Sequence, residues 1–250
     1  MRKQINKIAE DTNFFIKKFF YNQKKTELIN PIKYGVLPGG KKIRSKILID
    51  VGQIFNINYT LLLRIGSAVE CIHAYSLIHD DLPCMDDDSM RRGKLSVHKK
   101  FGESTAILAG NSLLTIAFEI LSSKNLNLSA SKKIELIHYI AKSSGHSGVA
   151  GGQYLDLNYE KKKVTIKQTL AMQIKKTGML FIFACIAPVI IAGKKNYLNK
   201  FYNIGSDIGL MFQITDDLLD LKGDPKKLGK KTKKDNKKGK ATLISLLGYE

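Results

Sequence analysis

IHDDLPCMDDDSMRRG, the stretch from Ile78 to Gly93, places five aspartates within nine positions and two arginines directly after them. The chain as a whole has 250 residues and a formal net charge of +19, so this concentration of acid runs against its general balance. Carboxylates at the C-terminal end of a helix are unfavourable unless positive charge neutralises them. We therefore expect a cation-binding site here rather than a solvated acidic helix end.

The spacing of these aspartates predicts a break in the helix that carries them. Asp80 and Asp86 are six residues apart, which places them on different faces of a straight α-helix. Pro83 lies between them and cannot donate the hydrogen bond that continues a helix. We expect the chain to kink or loop at Pro83 and to bring Asp86 back beside Asp80.

A second acidic cluster lies in the stretch TDDLLD, from Thr215 to Asp220. Asp216 and Asp217 are four and three residues before Asp220, so the three carboxylates share one face of the predicted helix. Like charges at that spacing repel one another. A positive group should therefore lie among them.

Apolar residues recur at three- and four-residue spacings along most of the chain, which predicts α-helices. One such series is Leu61, Ile65, Ala68, Ile72 and Tyr75. Ser104 is the predicted N-cap of a helix that ends near Leu121. The alternation typical of strands is missing, and no segment resembles a linker between domains. We predict one all-α domain, a bundle of many helices.

Several classes of protein are disfavoured by composition. Three cysteines without a CxxC pair, Cys71, Cys84 and Cys185, suggest neither a disulfide framework nor a zinc site and fit a cytoplasmic protein. The N-terminus lacks the apolar run of a signal peptide. The longest apolar stretch, 178–193, is shorter than the ~20 residues of a membrane span and contains Pro188, so it predicts a buried helix.

The excess of positive charge has two interpretations: an AT-rich coding genome, or a polyanionic partner. The aspartate clusters favour a specific form of the second. Carboxylate oxygens without a Cys or His quartet suit Mg²⁺, which is usually shared with substrate phosphates. The basic stretches GGKKIR, RRG and KKTG could bind the remaining phosphate oxygens.

The motifs occur in the order found in the trans-isoprenyl diphosphate synthases, and the sequence resembles bacterial farnesyl (geranyl) diphosphate synthases most. They are GGKKIR, ECIHAYSLIHDDLPCMDDDSMRRG, FGESTAILAGN, GGQYLDL, KKTG and FQITDDLLDLKGD. The resemblance runs from about Lys33 to Glu250. It implies the isoprenoid synthase fold, a single-domain helical bundle around a deep central cavity, usually in a homodimer, with the two aspartate motifs facing each other across the cavity mouth.

The resemblance also implies a role for individual residues. The metal site would contain Asp80, Asp81, Asp86, Asp216, Asp217 and Asp220, with Asp80 and Asp86 binding two Mg²⁺ ions and Asp216 a third. The clamp on the allylic diphosphate would contain Arg91, Lys176, Lys230 and Lys240. The isopentenyl diphosphate site would contain Lys41, Arg44, His73 and Arg92. Thr177 and Gln213 would turn oxygen atoms toward a developing carbocation.

The implied reaction ionises an allylic diphosphate, joins the cation to isopentenyl diphosphate and eliminates a proton, giving farnesyl diphosphate. Tyr75 lies five residues before Asp80, about 7.5 Å along a helix. The resemblance points the same way, because in that family an aromatic residue five positions before the motif, with the two extra residues Pro83–Cys84 inside it, marks bacterial C15 synthases. We expect Tyr75 to stop the growing chain, beside the small Ser76. An ordinary core tyrosine, and a geranyl or geranylgeranyl product, are the alternatives.

Three further interpretations stay open. A terpene cyclase also binds magnesium through aspartates, but its second motif normally differs from TDDLLD. A nucleic-acid-binding module would use the positive charge but leaves the acidic clusters unexplained and lacks aromatic platforms. Members of the resembled family continue beyond the position of Glu250. We therefore expect residues 1–250 to form one polyprenyl synthetase domain without the last C-terminal helices, and it could be an impaired form.

Overall fold

The computed structural model describes residues 2–23, 26–37, 39–160 and 162–222, and these ranges are largely helical. In the first half the helices are α1 (Arg2–Tyr21), α2 (Ile29–Val36), α3 (Ile43–Ile54), α4 (Tyr59–Asp80), α5 (Val97–Phe101) and α6 (Glu103–Ser122). In the second half they are α7 (Ala130–Ser144), α8 (Val149–Tyr159), α9 (Ile166–Gln173), α10 (Met179–Ala192) and α11 (Leu198–Lys222). The prediction of an all-α fold is confirmed.

Two short helical turns complete the second half of the bundle. A π-helical turn, Ile174–Gly178, joins α9 to α10, and a 3-10 turn, Lys195–Tyr197, precedes α11. In the π-turn the N–H of Met179 donates to the carbonyl oxygen of Ile174, five residues earlier. An α-helical bond would reach back only four residues. The chain from α9 through α10 therefore continues as one rod with an extra residue in a single turn.

A small hairpin interrupts the helices between α4 and α5. Strand β1 (Met90–Arg91) pairs antiparallel with β2 (Lys94–Leu95), and Met90 lies opposite Leu95. Arg92 and Gly93 connect the strands with φ values of 54° and 75°. Positive φ at both central residues is the signature of a type I′ turn, whose twist matches that of paired strands. The sequence did not predict this hairpin.

The core is built around α4 and α10. Helix α4 packs on α6, α3, α1 and α2, while α10 packs on α11, α3 and α7. Every residue of α10 from Leu180 to Ile191 is buried, and Phe181 and Phe183 are among the largest fully buried side chains. Pro188 lies inside this helix without ending it. The prediction of a buried helix at 178–193 is confirmed.

The predicted cap at Ser104 is wrong. Helix α6 begins at Glu103, with Gly102 in the N-cap position and no side-chain cap. Gly102 has a φ of 89°, a conformation that turns the chain sharply from α5 into α6. The helix can therefore begin one residue before the serine, which lies in its first turn.

Three helical segments are long and apolar enough to cross a membrane by length and composition: Tyr59–Asp80, Glu103–Ser122 and Ile166–Ala192. In the bundle the most apolar window of the first is 67% buried and that of the third 72%. Their apolar character is therefore accounted for by packing against other helices. The window of the second is only 39% buried, and Ile107 and Leu108 of α6 are exposed.

Candidate active site

Helix α4 ends at Asp80, and the chain then forms a tight loop. The N–H of Asp86 donates to the carbonyl oxygen of Asp80 at 2.8 Å, and the N–H of Asp88 donates to that of Asp81 at 3.1 Å. Pro83 lies inside this loop, where its missing N–H costs no helical bond. The predicted return of Asp86 to Asp80 is confirmed.

Arg91, on β1, binds the first aspartate motif. Its Nε lies 3.0 Å from Asp81 Oδ1, and its Nη2 pairs with the same carboxylate and lies 3.5 Å from Asp88 Oδ2. Burial is the largest single influence and disfavours the charged guanidinium, but the hydrogen bond to Asp81 and the negative charges of Asp81, Asp88 and Asp80 together outweigh it and raise the pKa of Arg91. Asp81 is itself buried. It therefore holds Arg91 at the motif.

Arg92 reaches a different part of the site from its neighbour. Its Nη1 donates to the carbonyl oxygen of Gly39 at 3.3 Å, in the loop that precedes α3. The type I′ turn separates the side chain of Arg92 from that of Arg91, which remains with Asp81. Two consecutive arginines thus serve two neighbouring regions.

Lys176 projects from the π-turn toward α8. Its Nζ lies 2.6 Å from Oδ2 of Asp156, a buried carboxylate. Close packing makes this ion pair possible: a Cβ at Gly152 would lie 2.1 Å from the backbone nitrogen of Lys176. Asp156 lies one turn after Gly152 on the same face of α8. The glycine therefore lets α8 approach, and the aspartate then meets the lysine.

Asp80 lies between opposing charges. Burial raises the pKa of Asp80 to about 6, and repulsion from Asp86 and Asp81 acts in the same direction. Lys176 and Arg91 act against it and favour the carboxylate. The two basic side chains and the first aspartate motif therefore form one charged cluster at the end of α4.

A cavity of about 500 Å³ lies beside this cluster. Its polar lining includes Lys41, Lys42, Arg44, Glu70, His73, Arg92, Thr215 and Asp216, and its apolar lining includes Ile43, Phe181, Ile208, Met211, Phe212 and Leu219. The cavity thus has a cationic part from α3, α4 and the hairpin, and an apolar part from α10 and α11. Such a combination suits an anionic head group joined to a hydrocarbon.

Arg44 and His73 have different electrostatic states within this cavity. The guanidinium of Arg44 lies 4.6 Å from the ring centre of Phe181, close enough for a cation–π contact. Burial and the neighbouring Arg44, Arg92 and Lys42 hold the pKa of His73 well below its usual range. His73 is therefore a neutral imidazole, able both to donate and to accept a hydrogen bond.

A chain of polar side chains joins the π-turn to α11. Thr177 Oγ1 donates to Gln213 Oε1 at 2.8 Å, and Gln213 Nε2 donates to Asp217 Oδ1 at 2.8 Å. Gln173 Nε2 donates to the other oxygen of Asp217 at 3.4 Å. The carboxylate of Asp217 therefore fixes the amide of Gln213, and the amide in turn orients the hydroxyl of Thr177.

A protein-family model described as polyprenyl synthetase matches residues 25–250. The chain belongs to this family. It is 43% identical over 231 residues to the farnesyl diphosphate synthase of Escherichia coli K12, a match that covers 90% of this chain and 76% of that protein. Two solved structures are also similar in fold. One is an FPP/GFPP synthase from Zymomonas mobilis (36% identity, TM-score 0.87, covering 100% of this chain and 85% of that one). The other is a Helicobacter pylori geranyltransferase complexed with magnesium and isoprenyl diphosphate (31% identity, TM-score 0.85, covering 98% and 83%).

Members of the polyprenyl synthetase family generally depend on magnesium, and the residues present fit this ion. Asp80 and Asp86 approach closely enough that each carboxylate disfavours the charge of the other, a repulsion that a cation would relieve. In the described ranges no group of three or more His, Cys, Asp or Glu side chains could hold a metal alone. Mg²⁺ keeps several water ligands and usually also binds substrate phosphates, so one or two carboxylates from the protein are enough to hold it.

The structure brings most of the predicted polyprenyl synthetase site into two groups. The first contains Asp80, Asp81, Asp86, Arg91 and Lys176, and the second contains Lys41, Arg44, His73, Arg92 and Asp216. Asp217 joins Thr177 and Gln213 instead, and Asp220 is buried on α11. Tyr75 and Ser76 lie on α4, five and four residues before Asp80. Lys230 and Lys240 lie outside the residues that the structure describes.

Two acids of this polyprenyl synthetase were missed by the reasoning from sequence. Asp156, in GGQYLDL, pairs with Lys176, and Glu70, in ECIHAYSL, lies in the cationic cavity. A signal for Glu70 was present: it is a lone acid within a strongly apolar helical stretch, and a buried carboxylate requires partners. Asp156 gave no comparable signal, because its helix is short and mixed in polarity.

Proposed function

We propose that this polyprenyl synthetase condenses isopentenyl diphosphate with dimethylallyl and geranyl diphosphates to give farnesyl diphosphate. The observation that carries the proposal is the position of two adjacent cationic regions, each beside an aspartate motif. Arg91 lies at the first motif, and the next residue, Arg92, lines the cavity that contains Asp216. Two diphosphates could therefore bind side by side. The name of the E. coli relative supports the same substrate class.

The first region is proposed to bind the allylic diphosphate. Arg91 and Lys176 present positive charge next to Asp80, and both are fixed by buried carboxylates. Fixed cations stabilise a departing diphosphate without first having to reorganise. Lys230 and Lys240 are proposed to extend this clamp on the basis of sequence alone.

The second region is proposed to bind isopentenyl diphosphate. Lys41, Arg44 and Arg92 would contact the diphosphate, and the neutral His73 would donate a hydrogen bond to it. The apolar side chains of Phe181 and Phe212 would cover the five-carbon unit. This arrangement would hold the double bond near the allylic carbon, an orientation effect that lowers the barrier to condensation.

Carbon–carbon bond formation is proposed to occur beside Thr177. The C–O bond of the allylic diphosphate breaks, the isopentenyl double bond supplies the electron pair of the new bond, and a proton passes to the released diphosphate. Thr177 donates its hydrogen to Gln213, so the lone pairs of its oxygen are available to face the cation. Asp217 keeps Gln213 in that orientation. No side-chain nucleophile is required.

Magnesium is proposed to bind at both aspartate motifs, with Asp80 and Asp86 supporting two ions and Asp216 a third; Mn²⁺ could replace it. When bound, the ions would neutralise charge on the diphosphate leaving group. The oxygen-only donors of both motifs are those that Mg²⁺ prefers. Asp81 would contribute indirectly, since it is already paired with Arg91. Asp217 and Asp220 would support Asp216 from the same turn of α11.

Incubation with labelled isopentenyl diphosphate and geranyl diphosphate tests the proposal. We expect an acid-labile labelled C15 product in the presence of Mg²⁺ and none after EDTA, with activity restored by excess Mg²⁺. A terpene cyclase would instead convert an allylic diphosphate without incorporating the isopentenyl label. Metal-independent transfer, or no incorporation with any allylic diphosphate, would contradict the proposed function.

We further propose that the chain acts as a cytoplasmic homodimer, with residues 1–250 in a single domain. Two exposed apolar side chains of α6 support the dimer: Ile107 and Leu108 are 43% and 54% exposed, on a helix whose buried face packs against α4. Because two copies could cover these side chains, sedimentation should give twice the chain mass, and Leu108→Glu should shift the protein toward monomers. A monomeric wild type would rule this interface out.

A further inference from the structure

The carboxylate of Glu70 lies among the cations of the proposed isopentenyl diphosphate site. It projects from the middle of α4, is 3% exposed and lines the cavity together with Lys42, Arg44 and Arg92. A negative group beside an anion-binding site weakens anion binding, so the presence of Glu70 needs another explanation. The contacts of Glu70 indicate what that explanation is.

Glu70 provides a hydrogen-bond acceptor for a backbone N–H in the first turn of α3. Its Oε1 accepts a hydrogen bond from the backbone N–H of Ser45 at 3.1 Å. Ser45 is the third residue of α3, and the first N–H groups of a helix have no partner within the helix. The preceding Lys42 adopts a left-handed conformation and provides no side-chain cap. A carboxylate from α4 therefore takes the place of a local cap and suits the positive end of the helix dipole.

The close approach of α3 to α4 depends on Gly66, one turn before Glu70. A Cβ at Gly66 would lie 2.4 Å from the hydroxyl oxygen of Ser45 and 3.2 Å from its Cα. Gly66 and Glu70 are four residues apart and share one face of α4. The glycine lets Ser45 reach the surface of α4, where the next turn presents the carboxylate. Arg44, beside Ser45, is thereby held at a fixed position in the cavity.

Glu70 also balances the positive charge of the cavity. Burial lowers the pKa values of Lys42, Arg44 and Arg92, and in each case Glu70 is the strongest charge that opposes this effect. Lys42 is 4% exposed and donates to the carbonyl oxygen of Val36 at 2.6 Å. Three cations crowded into one cavity repel one another, and the carboxylate of Glu70 reduces that repulsion.

We propose that Glu70 is a positioning residue for the isopentenyl diphosphate site, which anchors the beginning of α3 and keeps the basic cavity assembled before substrate enters. The inference rests on the proposed function for the identity of that substrate. The repulsion between Glu70 and the incoming diphosphate is a cost of this arrangement. It is offset because Arg44 and its neighbours need not be ordered during binding.

The substitution Glu70→Gln removes the charge but retains an oxygen that can accept from Ser45. We expect the KM for isopentenyl diphosphate to rise by about tenfold or more, because the basic side chains of the cavity lose the negative charge that pairs with them. The kcat and the KM for geranyl diphosphate should change by less than about threefold, because the first region is left intact. Asp50→Asn is the matched control: Asp50 lies on α3 and pairs with Lys46 at 2.5 Å, away from the cavity.

The opposite pattern would overturn the proposal. A KM for isopentenyl diphosphate that stayed constant or fell would mean that Glu70 only repels substrate. A fall in kcat at constant KM would mean that the variant merely contains less folded enzyme. Either result would leave the proposed reaction untouched, whereas failure of the wild type to transfer a prenyl group would contradict the reaction itself.

Charge balance can be tested without any activity measurement. The free energy of unfolding in urea, measured for the wild type, Glu70→Gln, Lys42→Met and the double variant, gives a double-mutant cycle. The hydrogen bond from Lys42 to Val36 is lost in both variants that carry Lys42→Met, so its loss cancels in the cycle. We expect the unfolding constant of the double variant to be lower, by at least about tenfold, than the value calculated by adding the effects of the two single substitutions. Additive effects would overturn the proposal. Should Glu70→Gln fail to fold, folding of the double variant would support it and continued failure would refute it.

Discussion

Replacing Asp80 with asparagine should lower kcat/KM by about a thousandfold or more, the effect of losing several kcal/mol of leaving-group stabilisation. Asparagine has the same shape, and the bond from the Asp86 N–H to the backbone of residue 80 does not involve the side chain. The loop should therefore persist while a charged metal ligand is lost. Asp216→Asn should act in the same way from α11. Steady-state kinetics across a range of Mg²⁺ concentrations measures both variants.

Asp207→Asn provides the control for these substitutions. Asp207 is an exposed residue on α11, the helix that carries Asp216, and its loss should leave both activity and Mg²⁺ dependence unchanged. Circular dichroism should verify that all three variants fold. Wild-type turnover in either Asp80→Asn or Asp216→Asn would remove that carboxylate from the proposed metal site.

The second large effect concerns product length, and we expect Tyr75→Ala to change the main product from C15 to C20 or longer. Tyr75 lies five residues before Asp80 on α4, about 7.5 Å along the helix axis. Its half-buried ring packs edge-on against His79, with the ring centres 5.4 Å apart, and it also packs against the hydrophobic core. Loss of a fixed ring at this depth would let the growing chain extend further.

Ser76→Phe should have the opposite effect and stop the chain at C10. Ser76 is four residues before Asp80 and therefore lies on the same face of α4, while its hydroxyl donates to the backbone of His73 at 2.9 Å. Chromatography of the dephosphorylated products separates the three lengths. Tyr202→Ala, at an exposed tyrosine of α11, serves as the control. An unchanged C15 product from a folded Tyr75→Ala variant would mean that other residues form the end of the cavity.

The helical architecture and the loop at the first motif could be predicted because each has a local cause. Apolar spacing determines which face of a helix is buried, and Pro83 prevents α4 from continuing through the motif. The grouping of Lys41, Arg44, His73 and Arg92 in one cavity agrees with the roles that family resemblance implied. Those roles remain predictions until substrate binding is measured.

The features that sequence reasoning missed have different physical causes. The hairpin has two residues in each strand, too few for an alternating pattern, and its turn is Arg92–Gly93 rather than the commoner Asn-Gly. Glu70 meets its partners only because Gly66 allows α3 to approach. The Ser104 cap failed because Gly102 supplied the turn instead. Packing between distant segments decided only the contact of Glu70, whereas the hairpin turn and the start of α6 were decided by the local backbone conformation of Arg92, Gly93 and Gly102.

The π-turn at Ile174–Gly178 gives the rod from Ile166 to Ala192 a change of phase. One additional residue in a turn rotates everything after it by about 100° relative to an uninterrupted α-helix. The first half of the rod can therefore direct Gln173 toward α11, while the second half has the periodicity of a fully buried core helix. Without that rotation, the same helical face would have to carry both the polar side chains that contact α11 and the apolar side chains of the core. The π-turn thus lets one continuous helix contribute polar side chains to the candidate site at its N-terminal end and pack in the hydrophobic core at its C-terminal end.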